Sequence, residues 1–466
     1  MRAPRRTFIK PSIDPHPLSS GRRLAKNTIW NLIGGLAPLI VAVATIPFII
    51  RGLGIDRFGV QTLVWVIIGY FSLFDLGLGR SLTKVVADKV AAKDFASIPA
   101  LLWTTLAATL ALGILGGGLV ALSAEWLTRS FLKIPSALES ETIATLHLLA
   151  IGIPIVILTS ALRGVLEAQQ KFFGISVLRL LLGFYIYLAP LGVLVFTSNL
   201  VVITAVLLVG RTLFTVAHFV LCARSIPRLL SRFEISPRVI RPLLAMGGWM
   251  TVSNVLGPIL ANLDRFFVGA MVTIAAVAYY ATPYEMIMKV LLIPTAVAGV
   301  LFPAFSAGFH HQPNRTRGLF IRGGKYVLFA VFPLILVVIA YAPEGLRFWI
   351  GREFSANSYA VLQWLAIGVL FNSLAQIPFA FLQAIGRADL TAKVHVAEIP
   401  FYLALFFSLT EAYGIVGTAI AWSVRATADA AILLALSAKA LQLSRSQMAL
   451  MLYTLGVALA VLLFFM

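Results

Sequence analysis

Long apolar stretches recur along the chain, separated by short polar segments rich in Lys and Arg. A helix of about 20 apolar residues crosses the roughly 30 Å hydrocarbon core of a bilayer. The pattern predicts thirteen spans, at 28–50, 58–83, 98–124, 142–166, 176–197, 200–223, 243–270, 277–307, 326–346, 358–384, 395–410, 415–438 and 448–466. Pro47, Pro154, Pro190, Pro258, Pro294, Pro378 and Pro400 fall inside them. Membrane helices tolerate such prolines where neighbours or cavity water satisfy the freed backbone groups. The expected fold class is an all-α polytopic membrane protein. Loops on the side opposite the N-terminus are short, and the longest, EWLTRSFLKIPSALESE at 125–141, is too small for a catalytic domain.

Composition agrees. The chain has 466 residues, 60% hydrophobic and 12% charged, with mean hydropathy +0.95. A soluble domain carries about 25% charged residues. The net charge of +19 would point to nucleic acid in a soluble chain. Here the basic residues lie mostly between spans, where they set topology and meet anionic lipid at cytoplasmic loops. No nucleic-acid partner is expected.

With the N-terminus in the cytoplasm, 26 of the 37 Lys and Arg residues fall at cytoplasmic segments and seven at outer ones. Four lie within spans: Arg80, Arg211, Lys289 and Arg425. That bias follows the positive-inside rule. Arg5-Arg6-Thr7-Phe8-Ile9-Lys10 resembles a twin-arginine export signal, but the following PSIDPHPLSSGRRLAKN is polar where a signal needs an apolar run. Residues 1–27 are therefore expected to form a flexible basic cytoplasmic tail. The single cysteine, Cys222, excludes an internal disulfide and reads as small packing. The six histidines have no metal-ligand spacing, and no P-loop, G-x-S-x-G or H-E-x-x-H motif occurs. No enzyme activity, metal or cofactor is expected.

The chain also repeats itself, a frequent mark of transporters. Thr28-Ile29-Trp30-Asn31-Leu32-Ile33-Gly34 is matched by Thr251-Val252-Ser253-Asn254-Val255-Leu256-Gly257. Leu149-Ala150-Ile151-Gly152 is matched by Leu365-Ala366-Ile367-Gly368. Val202-x-Thr204-Ala205-Val206, followed by Arg211, is matched by Val416-x-Thr418-Ala419-Ile420, followed by Arg425. Three matches in order indicate duplication. The expected lobes are 28–223 and 243–438, joined by a basic cytoplasmic linker at 224–242, with 448–466 as an additional span. Six spans per lobe make the repeat parallel, with its pseudo-twofold along the membrane normal.

Two such lobes enclose a cleft, and charge inside a span is costly enough to mark function. Arg211 and Arg425 lie near the middle of spans 6 and 12 and are repeat equivalents, so they are candidates for binding an anion by bidentate contact. Arg425 also has a candidate partner in Asp429, one turn on. Glu285 and Lys289 share a helix face in the same way. Asp264 and Arg265 fall toward the outer end of span 7, at a cavity mouth or a helix end. Asp75 lies deep in span 2 and needs a partner or a proton; Arg80 is five residues on, on another face. Glu398, near the inner end of span 11, reads as uninformative. Asn31 and Asn254 pack between helices or line the cleft. Gly113-x-x-x-Gly117 permits close helix approach.

NTIWNLIGG…IPFIIRGLGIDRFGVQTLV…FDLGLGRSLTKVVA, SNVLGPILANLDRFFVGAM and AYYATPYEMIMKVLLIPTAVAGVLFPAFS together resemble the polysaccharide-exporter branch of the multidrug/oligosaccharidyl-lipid/polysaccharide superfamily. These are the Wzx-type O-antigen and lipid-linked oligosaccharide flippases. The resemblance covers spans 1–12 and implies a MATE-like pair of six-helix lobes in the bacterial cytoplasmic membrane. It implies an undecaprenyl-diphosphate-linked glycan as substrate, moved from the inner to the outer leaflet by alternating access, with glycan polymerase machinery as a further partner. On that reading Arg211 and Arg425, with Asp264 and Arg265, hold the head group. Asp75, Glu285, Lys289 and Asp429 are charge partners or carry a coupling proton. Family members have 12 or 14 spans, against thirteen here. Alternatives are a multidrug/cation antiporter, a lipid II flippase, and a membrane glycosyltransferase or polymerase.

Overall fold

The computed structural model describes residues 21–71, 77–226, 229–230, 233–236, 263–309 and 311–466, without the side chains of 21–36, 445, 448 and 450–452. Asp75 and Asn254, and the Asn31 side chain, lie outside that description. Among the described residues the ordered elements are all helical. The N-lobe comprises α1 (Gly21–Leu53), α2 (Ile55–Phe71), α3 (Leu78–Ala91), α4 (Ile98–Trp126), α5 (Ser136–Ala168), α6 (Phe172–Leu194) and α7 (Leu200–Ser225). The C-lobe comprises α8, described over 263–271, then α9 (Ile274–Ile287), α10 (Leu292–Gly308), α11 (Pro313–Ala340), α12 (Ala342–Trp349), α13 (Arg352–Ala384) and α14 (Ala388–Leu441). The additional span is α15 (Arg445–Phe464).

Several boundaries differ from the apolar pattern. α1 starts at Gly21, inside the segment expected to be a flexible tail. Span 2 is two helices: α3 starts afresh after Gly77, whose φ of 70° lies in the left-handed region that side chains disfavour. The segment expected as 326–346 starts at Pro313 and is followed by the separate short helix α12. α14 holds spans 11 and 12 as a tight hairpin. Its chain reverses at Gly414, at φ 58°, and the hydroxyls of Thr410 and Thr418 meet at 2.9 Å. A Cβ on Gly417 would stand 1.8 Å from the Leu409 carbonyl oxygen, so only glycine allows that turn.

α5 and α13, matched by the sequence repeat, are the most buried spans of their lobes. In the N-lobe, Gly113 and Gly117 let α4 close on α5, where a Cβ would come within 2.4 Å of Pro154 Cα and of the Ala150 carbonyl oxygen. Cys222 is buried, with its thiol on the Leu162 carbonyl.

The lobes join at one end. A Cβ on Gly59 of α2 would stand 2.1 Å from the Ile274 carbonyl oxygen of α9. Lys133 N–H donates to Gly269 O at 2.9 Å, and Ile274 N–H to Lys133 O at 3.3 Å; the Lys133 ammonium donates to Met271 O. Trp349 Nε1 donates to Val43 O at 2.7 Å. That carbonyl is available because Pro47, four residues on, has no N–H to give it. The main apolar core crosses the lobes at this end, with Ile49, Leu53 and Phe58 sharing a cluster with Val268, Ile274 and Val277. At the other end the N-lobe keeps its own core of Leu82, Val86, Leu102, Leu162 and Cys222, which among the described residues includes none from the C-lobe.

Candidate functional site

Beyond the joined end lies a cavity of about 490 Å³ between the lobes. Trp65, Tyr70, Tyr187 and Arg211 line its N-lobe side, and Arg265, Glu285, Lys289 and Trp349 its C-lobe side. Among the described residues, three of its charged lining residues are basic and one is acidic.

Arg211 is set by the α6–α7 contact. Gly210 admits the Tyr185 ring, 1.9 Å from where a Cβ would sit, and Tyr185 Oη donates to Val206 O at 2.6 Å. The Asn199 side chain caps α7, accepting from the N–H groups of Val201 and Val202. The guanidinium emerges half-buried beside Trp65 and Tyr187, whose rings meet edge-on at 5.7 Å. Among the described residues it has no hydrogen-bonding or ionic partner.

The C-lobe wall is built differently. Asp264 and Arg265, placed near the outer interface by counting residues, are both buried. Asp264 accepts from Tyr280 Oη at 2.7 Å. Arg265 reaches across to α9, with Nη2 on Glu285 Oε1 at 2.6 Å and its guanidinium 4.9 Å from the Tyr284 ring centroid. Glu285 also meets Lys289 at 3.6 Å, as their spacing predicts. One carboxylate thus stands between two cations at the cavity wall.

Arg425 does not line this cavity. It points along the α14 hairpin to Glu398, Nη1 to Oε2 at 3.5 Å, and is flanked by Tyr402 and Trp422 at 5.6 and 6.0 Å. Its partner is therefore Glu398, and not Asp429, which meets His395 at 3.5 Å. The hairpin turn explains the difference, because folding at Gly414 brings 398 to 425 and 395 to 429. The polar segment before Gly414 carried that signal, and Glu398 and His395 could have been found by pairing the two limbs. Tyr280 and Tyr284 had no signal of their own, since their partners come from another helix.

A membrane-embedded, two-lobed transport protein with a predominantly basic central cleft is the class that this fold and site define. The chain matches the family model "Polysaccharide biosynthesis protein" over residues 49–359 and belongs to that family, in the polysaccharide-exporter branch of the multidrug/oligosaccharidyl-lipid/polysaccharide superfamily. It is 30% identical over 415 residues to a Shigella flexneri protein described as "Putative O-antigen transporter", covering 88% of this chain and 96% of that one. Among solved structures it is similar to an inward-facing multidrug resistance MATE family transporter, with TM-score 0.75, 13% identity and 90% and 98% of the two chains covered. It is also similar to the lipid II flippase MurJ in an inward closed conformation, with TM-score 0.65, 12% identity and 95% and 96% covered. The protein is a transporter and not an enzyme.

Proposed function

We propose that the chain moves an undecaprenyl-diphosphate-linked oligosaccharide from the inner to the outer leaflet of the bacterial cytoplasmic membrane. The lobes 28–223 and 243–438, joined in sequence by the basic linker 224–242, rock about their contact. The N-terminus is cytoplasmic, so the joined end is the outer gate and the cleft opens inward. Anionic lipids hold the cytoplasmic loops, and glycan polymerase machinery takes the product outside.

The observation that carries this reading is Arg211, whose guanidinium faces the interlobe cavity with no ionic partner among the described residues. A diphosphate cannot cross about 30 Å of hydrocarbon without replacing its lost hydration. An arginine fork supplies that replacement in bidentate form. Lys289 and Arg265 add positive charge opposite, with Glu285 holding Arg265 until an anion competes for it. Trp65, Tyr70, Tyr187 and Trp349 give the cavity the aromatic walls and sparse polar groups common to small-molecule sites. The lipid tail stays in the bilayer between the lobes. A cation antiporter needs an acidic lumen, and this cavity has the opposite balance.

Replacing Arg211 by Ala and by Lys, and following surface glycan at matched protein level, tests the reading. The expected result is loss of export in Arg211→Ala and partial export in Arg211→Lys. Wild-type export by Arg211→Ala would remove the anion-site role.

A further inference from the structure

The N-lobe carries two further arginines that the cleft does not use. Val156 of α5, Ile186 of α6 and Arg211 of α7 border one small cavity. Arg163, Arg179 and His218 stand seven residues from them, in that order, and in each case toward the end away from the joined one. Seven residues make about two helical turns and about 10 Å of rise, so each group keeps the helix face of its counterpart at the cavity. Three helices thus bring three groups to one level, on the faces that also hold Arg211. The hydroxyls of Thr159 and Thr215, 2.7 Å apart, tie α5 to α7 between the two levels.

This second level is cationic. The guanidiniums of Arg163 and Arg179 act electrostatically on each other, and both act on His218. Glu167 meets Arg163 at 3.3 Å and also acts on Arg179 at longer range. Arg179 itself has no hydrogen-bonding or ionic contact among the described residues. Two guanidiniums therefore share one carboxylate. His218 is buried beside them, its ring held by Nδ1–H donating to Phe214 O at 2.8 Å. One turn before Arg179, Ser176 is 1% exposed, and its hydroxyl has no hydrogen-bonding partner among the described residues. A buried hydroxyl left in that state points to a group from outside the chain that accepts from it. Snorkelling to the interface accounts for Arg163, whose side chain is 46% exposed, but not for half-buried Arg179 or for Ser176.

Two guanidinium forks and a hydroxyl donor are the groups that recognise a phosphate. We infer that Arg163, Arg179 and Ser176 form a second phosphate-binding station in the N-lobe, separate from Arg211, where a diphosphate head group rests before Arg211 takes it. An incoming phosphate relieves the repulsion between the two guanidiniums, and Glu167 gives up Arg163 to it. The next cation on the same helix faces is Arg211, two turns deeper. The negative charge thus passes from arginine to arginine and does not stand alone inside the span, where it is most costly. The place of the station in a transport path rests on the flippase reading above; the phosphate site itself does not.

The test uses the full-length protein in phosphatidylcholine nanodiscs at about 0.15 M salt, where loose surface pairing is screened. Equilibrium binding of radiolabelled inorganic pyrophosphate should give two equivalents per chain in wild type, one in Arg163→Gln/Arg179→Gln and one in Arg211→Ala. Arg179→Lys keeps the charge and should retain both equivalents with one weakened, which separates a lost site from a lost fold. Loading of undecaprenyl diphosphate should slow at least about fivefold in Arg179→Gln, because a charge on the entry path acts on the association rate. Two equivalents kept in the double variant, or a single one in wild type that only Arg211→Ala removes, overturns the station. Loss of the second equivalent when phosphatidylglycerol is added to the nanodisc assigns the site to bilayer lipid and overturns its place in the path, as does undiminished loading in Arg179→Gln. Two equivalents kept in Arg211→Ala, with one lost in the double variant, overturns the cleft reading alone, so the two failures are separable.

Discussion

Arg211 and Arg425 descend from one position of a duplicated half, yet their surroundings have parted. Arg211 faces the interlobe cavity beside Trp65 and Tyr187, with no ionic partner among the described residues. Arg425 is turned into its own lobe, against Glu398, Tyr402 and Trp422. The contrast teaches that a repeat-matched residue keeps its depth but not its role, because role depends on what the neighbouring helices supply. An Arg at a helix centre costs about 2.5–3.5 kcal/mol on insertion scales. In the C-lobe that cost is offset within the fold by Glu398. In the N-lobe it is left for cavity water, or for the anion that replaces it.

The largest expected effect separates the two arginines by function. Arg211→Ala should lower glycan export at least about tenfold with thermal stability unchanged, because no partner among the described residues is left orphaned. Second, the C-lobe pair should respond in stability. Glu398→Ala leaves Arg425 without its ionic partner, and unfolding in detergent should show a loss of about 1–3 kcal/mol, below that of a fully buried pair because Arg425 is a quarter exposed. The double variant Glu398→Met/Arg425→Met should recover most of it, as apolar replacement of a buried pair often does. If the double variant is as unstable as the single one, the pair does not account for the loss.

A third effect concerns the joined end. Trp349→Phe removes the Nε1 bond to Val43 O, worth about 1 kcal/mol. The lobe equilibrium should shift about fivefold toward opening at that end, read as labelling of a cysteine placed at Thr62. The smallest effect belongs to a charge outside the membrane. Lys89 and Ser97, by hydrogen bonding, hold the Asp94 carboxyl below its ordinary range. A depressed acid contributes stability above its unfolded-state value and loses it as pH falls through the folded one. The contribution should therefore fade only at the acid end, below about pH 4. Asp94→Asn should leave unfolding at neutral pH within error, since both side chains of the Lys89–Asp94 pair reach solvent, 40% and 39% exposed.

Much of the architecture was legible from apolar runs alone. The all-helical, multi-span fold follows from the apolar runs, and the Glu285–Lys289 pair from its i,i+4 spacing; the two lobes came from the internal repeat. Helix breaks inside an apolar run were harder. The restart at Gly77 and the separate α12 depend on backbone geometry that hydropathy does not register. The burial of Asp264 and Arg265 was not legible, because counting residues from a span start does not show how α9 of the same lobe covers them. The bonds from Arg265 to Glu285 and from Asp264 to Tyr280 cross between helices, and one sequence carries no register for such contacts. Glu398 was passed over because only the hairpin turn reveals what lies opposite it. The roles expected for Asp75, Asn31 and Asn254 fall outside the described residues.

The central claim is that Arg211, and not its repeat partner, takes the phosphate charge of the substrate. Equilibrium binding of undecaprenyl diphosphate to the purified protein in nanodiscs, compared among wild type, Arg211→Ala and Arg425→Ala, tests it most directly. The account predicts that Kd rises at least about tenfold in Arg211→Ala, which is about 1.4 kcal/mol, and less than about threefold in Arg425→Ala. Equal losses in the two variants, or a larger loss in Arg425→Ala, would contradict it.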